Sequence, residues 1–327
     1  MFVVCAWVPA NPRASRGGSA GRSGYCEYLS AVRGPTYRGG MDNREEVRDF
    51  LRSRRSRITP QEAGLPAYGG HRRVPGLRRE EVAMLAGVSV DYYVRLERGN
   101  LGGASDSVLE SIATVLRLDE AERRHLRDLA RAAGPGTARA RRRPRARTVT
   151  PSIQAMLDAM TGAPAVVRDD RLDILASNAL GRALYAPLYD GPGPRPNHAR
   201  FAFLDPRARE FWVDWVRAAD DTVGILRSAA GRDPSDRELT ALVGELSTRS
   251  EDFRTRWAAH HVHLHTGGTK RIQHPVVGRL ELMYDSMTVA AAPGLTLLVY
   301  TAAPGSGTAD ALRLLASWAA TDAPSPA

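Results

Sequence analysis

Between Leu77 and Gly99 the chain reads Leu-Arg-Arg-Glu-Glu-Val-Ala-Met-Leu-Ala-Gly-Val-Ser-Val-Asp-Tyr-Tyr-Val-Arg-Leu-Glu-Arg-Gly, a spacing that few folds accept. Val82, Ala83 and Ala86 make an i, i+1, i+4 apolar patch ahead of Gly87-Val88-Ser89, and Tyr93 and Leu96 make an i, i+3 patch after it. Both patches reach one core only if two short helices cross steeply over the turn, with Val88 between them. Ala83 is small enough for close approach, Gly87 tolerates a positive φ at the bend, and Ser89 can cap the next helix by accepting an amide hydrogen bond. An ordinary helical hairpin meets some of these demands. Six constrained positions in order, with basic flanks, favour a DNA-binding unit.

This spacing resembles the helix-turn-helix of the lambda-repressor and Cro type, the xenobiotic-response-element family. The family's small residue falls at Ala83, its turn glycine at Gly87, and its buried positions at Val82, Ala86, Val88, Tyr93 and Leu96. Tyr93 departs from the branched aliphatic residue more often found there. With Tyr93 and Leu96 facing inward, Val90, Asp91, Tyr92 and Arg95 face outward on a helix that the resemblance lays in the major groove. Arg95 suits guanine O6 and N7, and Val90 suits a thymine methyl. Asp91 either accepts from cytosine N4 or caps its own helix, and Tyr92 reaches a base or a phosphate. Arg72, Arg73, Arg79, Ser89 and Arg98 are the candidate phosphate contacts, which fix register without reading sequence.

Charge follows the motif. The 327 residues carry a formal +10, with 5 basic and 1 acidic residue in 1–40, 23 and 15 in 41–150, and 18 and 20 in 151–327. The excess therefore sits with the helix-turn-helix, as expected of a polyanion-binding module joined to a domain with another task. Arginine supplies 45 of the 46 basic residues, which a GC-rich genome explains, but such bias does not segregate charge. The length exceeds that at which one core stops growing, so two domains are expected. No run of 18 apolar residues occurs, Met1 to Val8 lack a basic n-region, and the cysteines are Cys5 and Cys26. A cytoplasmic protein follows as the expectation, with no membrane span, signal peptide, disulfide framework or cysteine zinc site.

Residues 1–40 are rich in Gly, Ser, Arg and Pro without periodicity. They read as a disordered extension whose place in the natural protein is open. From 41 to 134 five helices are expected. The first is capped by Asp42 or Asn43 and runs to about Arg57, two belong to the motif, a fourth is capped by Ser105 or Asp106, and a fifth opens at Asp119 with Glu122 and closes at Gly134. Thr59-Pro60-Gln61-Glu62 predicts a short capped turn of helix, and 64–76 a basic loop around His71 to Arg73. Residues 135–149 read as a flexible arginine-rich linker.

From 150 to 327 the pattern is mixed. A helix runs from Pro151 to about Met160; a hairpin of 165–168 and 172–176 turns at Asp169-Asp170; Asn178 caps a helix to Tyr185. Residues 207–260 have helical period, strands are expected near 269–274, 279–290 and 295–302, and a last helix carries Leu312, Leu315 and Trp318. Hairpin, helices and antiparallel meander predict one curved sheet with helices over one face.

Arg171-Leu172-Asp173-Ile174-Leu175-Ala176-Ser177-Asn178-Ala179-Leu180, Phe203-Leu204-Asp205-Pro206, Trp257 and His274-Pro275-Val276-Val277-Gly278, with Leu280, Leu282, Val299-Tyr300 and Pro304-Gly305-Ser306, resemble the ligand-binding domain of MmyB-like transcription regulators. The likeness extends over 41–320. It implies a two-domain chain, an all-α lambda-repressor-like N-terminal domain followed by an α+β, PAS-like domain that senses a small molecule, an acyl chain or another apolar metabolite. Met156, Met160, Phe201, Phe203, Trp212, Trp215, Trp257 and Met283 are the candidate pocket residues, since aromatic and thioether side chains adapt to apolar guests, although such residues more often are plain core.

His261, His263 and His265 would share one face of an extended strand, a spacing open to zinc or copper. No cysteine or well-placed carboxylate completes the set, so a structural strand is favoured and no metal or cofactor is expected. His260 and His274 read as packing and turn-setting positions. Gly-x-Ser-x-Gly, His-Glu-x-x-His and the phosphate-cradling Gly-x-x-x-x-Gly-Lys are absent, so the chain reads as no enzyme. The function expected is a DNA-binding transcriptional regulator, homodimeric on double-stranded DNA, with a ligand-modulated grip. Its rival is a protein-interaction module, antitoxin-like or sigma-associated, with weak non-specific DNA binding.

Overall fold

The structure, a computed structural model, describes residues 42–66, 76–134, 148–191, 195–262 and 266–321. The expectations for residues 1–40, for most of the linker, for Arg72 and Arg73, and for His263 and His265 lie outside the described residues.

Five helices make the first part: α1 (Asn43–Arg57), α2 (Arg79–Ala86), α3 (Val90–Glu97), α4 (Asp106–Val115) and α5 (Glu120–Ala132). Each start has a side-chain reason. Asp42 accepts the Arg44 N–H at 3.0 Å, Ser105 caps α4, and Asp119 and Glu122 cap α5 reciprocally. Thr59–Glu62 makes a hydrogen-bonded turn and not a helix, because Glu62 folds back onto the Thr59 N–H at 2.7 Å and no amphipathic run follows. One core forms from Val47, Phe50, Leu51, Val82, Ala83, Tyr93, Leu96, Ile112, Leu126 and Leu129, and Val262 from far along the chain closes it. The loop between α3 and α4 crosses the first turn of α1 at Gly99. There φ is +93° and a Cβ would lie 2.5 Å from the Arg44 Cα, so only glycine fits.

The second part runs α6 (Pro151–Ala159), β1 (Ala165–Asp169), β2 (Ile174–Ser177), α7 (Ala179–Leu184), α8 (Ala186–Tyr189), α9 (His198–Leu204), α10 (Ala208–Phe211), α11 (Trp215–Arg232), α12 (Arg237–Arg249), α13 (Glu251–Ala258), β3 (Gly267–His274), β4 (Gly278–Thr288), β5 (Leu295–Thr301) and α14 (Gly307–Thr321). The strands form one antiparallel sheet in the order β2-β1-β5-β4-β3. The hairpin joins the meander by pairing β1 with β5, which puts β1 inside the sheet.

That position corrects the expectation of helices on one face. Val166, Leu298, Leu280 and Leu282 face the main core with α7, α11 and α14, whereas Ala165, Val167 and Leu297 pack on Ile153 and Leu157 of α6 behind the sheet. All five β1 residues are buried, the mark of a strand covered on both sides. The outer half keeps the alternation: Arg279, Glu281, Met283 and Asp285 of β4 face out. Helices α8 and α9 escaped the sequence reading because each is shorter than two periods. The Asp169 carboxylate accepts the Arg171 and Asp173 N–H groups, so Asp169-Asp170 is a turn as expected. His274 sets its turn too, with Nδ1 accepting from Val276 and Val277 and Nε2 on the Ala183 carbonyl at 3.0 Å.

Asn178 ties the sheet to its flanking helices. Its Oδ1 accepts the Ala165 N–H at 3.0 Å and the Gly181 N–H at 2.7 Å, and its Nδ2 donates to the Met160 and Ala163 carbonyls at 2.5 and 2.7 Å. All four partners are backbone groups around a buried side chain, so losing them strands several at once. Asn178→Ala is expected to cost about 3 kcal/mol, more than an exposed cap loses. Urea unfolding of the variant would measure it, and a cost under about 1 kcal/mol would refute the account.

Candidate nucleic-acid interface

The turn between α2 and α3 has the geometry its residues imply. Gly87 sits at φ +68°, its N–H and that of Val88 satisfy the last carbonyls of α2, and Ser89 accepts the Tyr92 N–H at 3.2 Å to open α3. Val82, Ala83, Ala86, Tyr93 and Leu96 are buried and Val88 is partly so, the six positions read from the sequence. Opposite them Val90, Asp91 and Arg95 are exposed and Tyr92 is half-buried, with the Arg95 guanidinium 4.8 Å from the centre of the Tyr92 ring. Ser89 is the N-cap of α3, and Asp91 stands in its first turn. Arg98 ends the helix, exposed.

Arg79 has a second attachment that the sequence reading missed. Glu97, only 1% exposed, holds Arg79 Nε at 2.8 Å with one oxygen and Arg55 Nη2 at 2.8 Å with the other, while Arg55 Nη1 donates to the Leu77 carbonyl at 2.8 Å. One carboxylate thus fastens α1, the start of α2 and the end of α3. The signal was present: Tyr93, Leu96 and Glu97 are i, i+3, i+4, which puts Glu97 on the buried face. Half of Arg79 remains in solvent, so a phosphate contact stays open to it.

A second buried polar cluster joins the two parts. Arg227 of α11, 0% exposed, pairs through Nη1 with Glu46 of α1 and lies 2.9 Å from His260 Nδ1, while Nη2 donates to the Trp257 carbonyl and the guanidinium stacks 4.2 Å from the Trp257 ring centre. His125 Nε2 and His260 Nδ1 each lie 3.5 Å from Glu46. Burial alone would raise the Glu46 carboxyl, but Arg227 and the two imidazoles outweigh it and hold the group well below the usual carboxylate range. Alongside, Arg54 pairs with Glu122 at 2.7 Å and donates to the His260 carbonyl at 2.5 Å. A Cβ at Gly231 would lie 2.6 Å from His125, so α11 and α5 are in close contact.

Known proteins place this geometry. A model of a helix-turn-helix domain matches residues 46–126, and a model of the MmyB-like transcription regulator ligand binding domain matches 149–315. The chain belongs to the MmyB-like transcription regulators. No curated protein matches it. In this MmyB-like chain a helix-turn-helix domain precedes a ligand-binding domain, the layout of a ligand-modulated transcription regulator.

Within the MmyB-like domain the seven candidate pocket residues do not meet. Trp212 is buried among Tyr185 and Phe211 in the main core. Trp215 donates from Nε1 to the Ala202 carbonyl at 2.9 Å, and Phe203 and Trp257 pack edge-on and stacked against Phe253, toward the Arg227 cluster. Met160 lies behind the sheet with the α6 cluster. Met156 and Met283 are 41% and 46% exposed and line no interior, because their positions on α6 and β4 point away from the helix-covered face. Amphipathic period alone could not tell the two sheet faces apart. No helix among the described residues is long and apolar enough to cross a membrane, and no three metal-capable side chains gather among them.

Proposed function

We propose that this MmyB-like chain is a sequence-specific, Cro-like DNA-binding regulator that acts as a homodimer on an inverted repeat and whose grip responds to a small apolar ligand, an acyl chain among the candidates. The observation that carries the DNA reading is the two-faced α3: Tyr93 and Leu96 are buried while Val90, Asp91 and Arg95 stand in solvent. Phosphate contact falls to Arg79, Ser89 and Arg98, with Arg72 and Arg73 joining from the sequence. The PAS-like reading is supported by the strand order and by the placing of α7 to α13 between β2 and β3. Helix α11 supports the coupling. It begins in the core of the ligand domain at Trp215 and Ala219 and ends against α5, so a ligand that moves it biases the pose of the DNA-binding helices.

Selection of bound fragments from random DNA tests the reading, and an enriched inverted repeat is the expected result. On that site Arg95→Ala is expected to cost about 1–3 kcal/mol, with little effect on random DNA. Arg98→Ala should weaken both and lower the salt slope by about one unit. The protein-docking alternative draws on Met84 and Leu85, exposed on α2. It predicts no enriched site, and equal losses for Arg95→Ala on all sequences would favour it.

A further inference from the structure

Three arginines are buried among the described residues, and two of them hold a carboxylate: Arg54 has Glu122 and Arg227 has Glu46. The third, Arg168 of β1, is 5% exposed and has neither a hydrogen bond nor an ion pair for its guanidinium among the described residues. It alternates with Val167, which faces α6, and so points to the helix-covered side, where Tyr185, Tyr284 and Tyr300 feel its charge. Lys270 of β3 reaches the same interior. Its Nζ lies 5.3 Å from the centre of the Trp212 ring and 4.9 Å from that of Tyr284, with no carboxylate in ion-pair range among the described residues.

Two cations that act on each other in one aromatic interior are costly unless an anion joins them. We propose that Arg168 and Lys270 form the head-group subsite of the ligand domain and take a monoanionic carboxylate. The charge count selects the valence. Against Arg168 and Lys270 stands Asp221 of α11, leaving one positive charge inside, while Arg217 is exposed to solvent. The planar guanidinium fork favours a carboxylate, which it binds bidentately. The body of the ligand meets Trp212 and Tyr284, and the Tyr185 and Tyr300 hydroxyls, 2.5 Å apart, border the subsite.

Proton uptake accompanies binding. Burial, with Arg168 and Arg217 adding to it and Asp221 opposing it, brings the Lys270 amine down to about 7. An incoming carboxylate favours its ammonium form. Affinity should therefore fall about tenfold per pH unit above pH 8 in the wild type and stay flat in Lys270→Met.

The proposal rests on the ligand-binding reading of the second domain and not on the DNA reading, so the site selection above can succeed or fail separately. The test uses the full-length protein, with sodium octanoate and sodium benzoate titrated by calorimetry against 1-octanol and benzyl alcohol as uncharged counterparts. Expected is binding of at least one carboxylate more than tenfold tighter than its alcohol, with a pH slope lost in Lys270→Met. Arg168→Met should abolish that preference, yet leave the ligand-free protein melting at or above the wild-type temperature, because the variant removes a charge that has no counter-ion. A fall of several degrees in Arg168→Met would make Arg168 a packing residue and overturn the proposal. So would alcohols that bind as well as the carboxylates, or no response to either carboxylate.

Discussion

Glu97→Leu is expected to cost the DNA-binding domain about 3–5 kcal/mol, the loss typical when one partner of a buried ion pair is removed. Two arginines depend on that carboxylate, and they are not equivalent. Arg79 is half exposed and can turn into water, but the Arg55 side chain is 12% exposed and would keep its charge with only the Leu77 carbonyl as partner. Most of the cost therefore belongs to Arg55. The double variant Arg55→Met, Glu97→Leu should recover most of it, since a well-packed apolar pair replaces a buried ion pair at little net cost. Chemical denaturation of the three variants measures the cycle. A single-variant loss below about 1 kcal/mol would show that α1, α2 and α3 are held by apolar packing alone.

Glu46→Ala is expected to have an effect of similar size, about 3–5 kcal/mol, felt between the domains. Arg227 is fully buried and would retain only the His260 ring and the Trp257 carbonyl. The wild type is expected to melt in one calorimetric transition, because α11 is docked on α5. In Glu46→Ala the transition should split in two, and Glu46→Leu with Arg227→Met should restore one. DNA affinity of Glu46→Ala should also stop responding to the ligand, because α11 no longer moves the helices it touches. A single unsplit transition in Glu46→Ala would show that the cluster is not what couples the domains.

Much of this was legible in the residues. The helix-turn-helix could be read to single positions because its constraints are local: a small residue at Ala83, a positive φ at Gly87 and a cap at Ser89 each show in their own side chain. The hairpin, the Asn178 cap and the meander could be read for the same reason. The polar clusters could not. Glu97 meets Arg55 across 42 positions and Arg227 meets Glu46 across 181, and a charged residue on a helix carries no mark of the partner it will find. The candidate pocket failed at Met156 and Met283 for a related reason. Which face of a sheet is covered depends on where β1 inserts, and that depends on pairing with β5, more than a hundred residues on.

Val262 closes the core of the first domain, although it lies 130 residues beyond the end of α5. During synthesis, at roughly 5–20 residues per second, that plug reaches the helices on the order of 10 seconds after they have emerged from the ribosome. Until then Glu46 and His125 face water, and α11 has no seat filled on α5. The nascent chain thus passes through a stage with its basic reading head assembled and its control element absent. Final docking of α11 ends that stage.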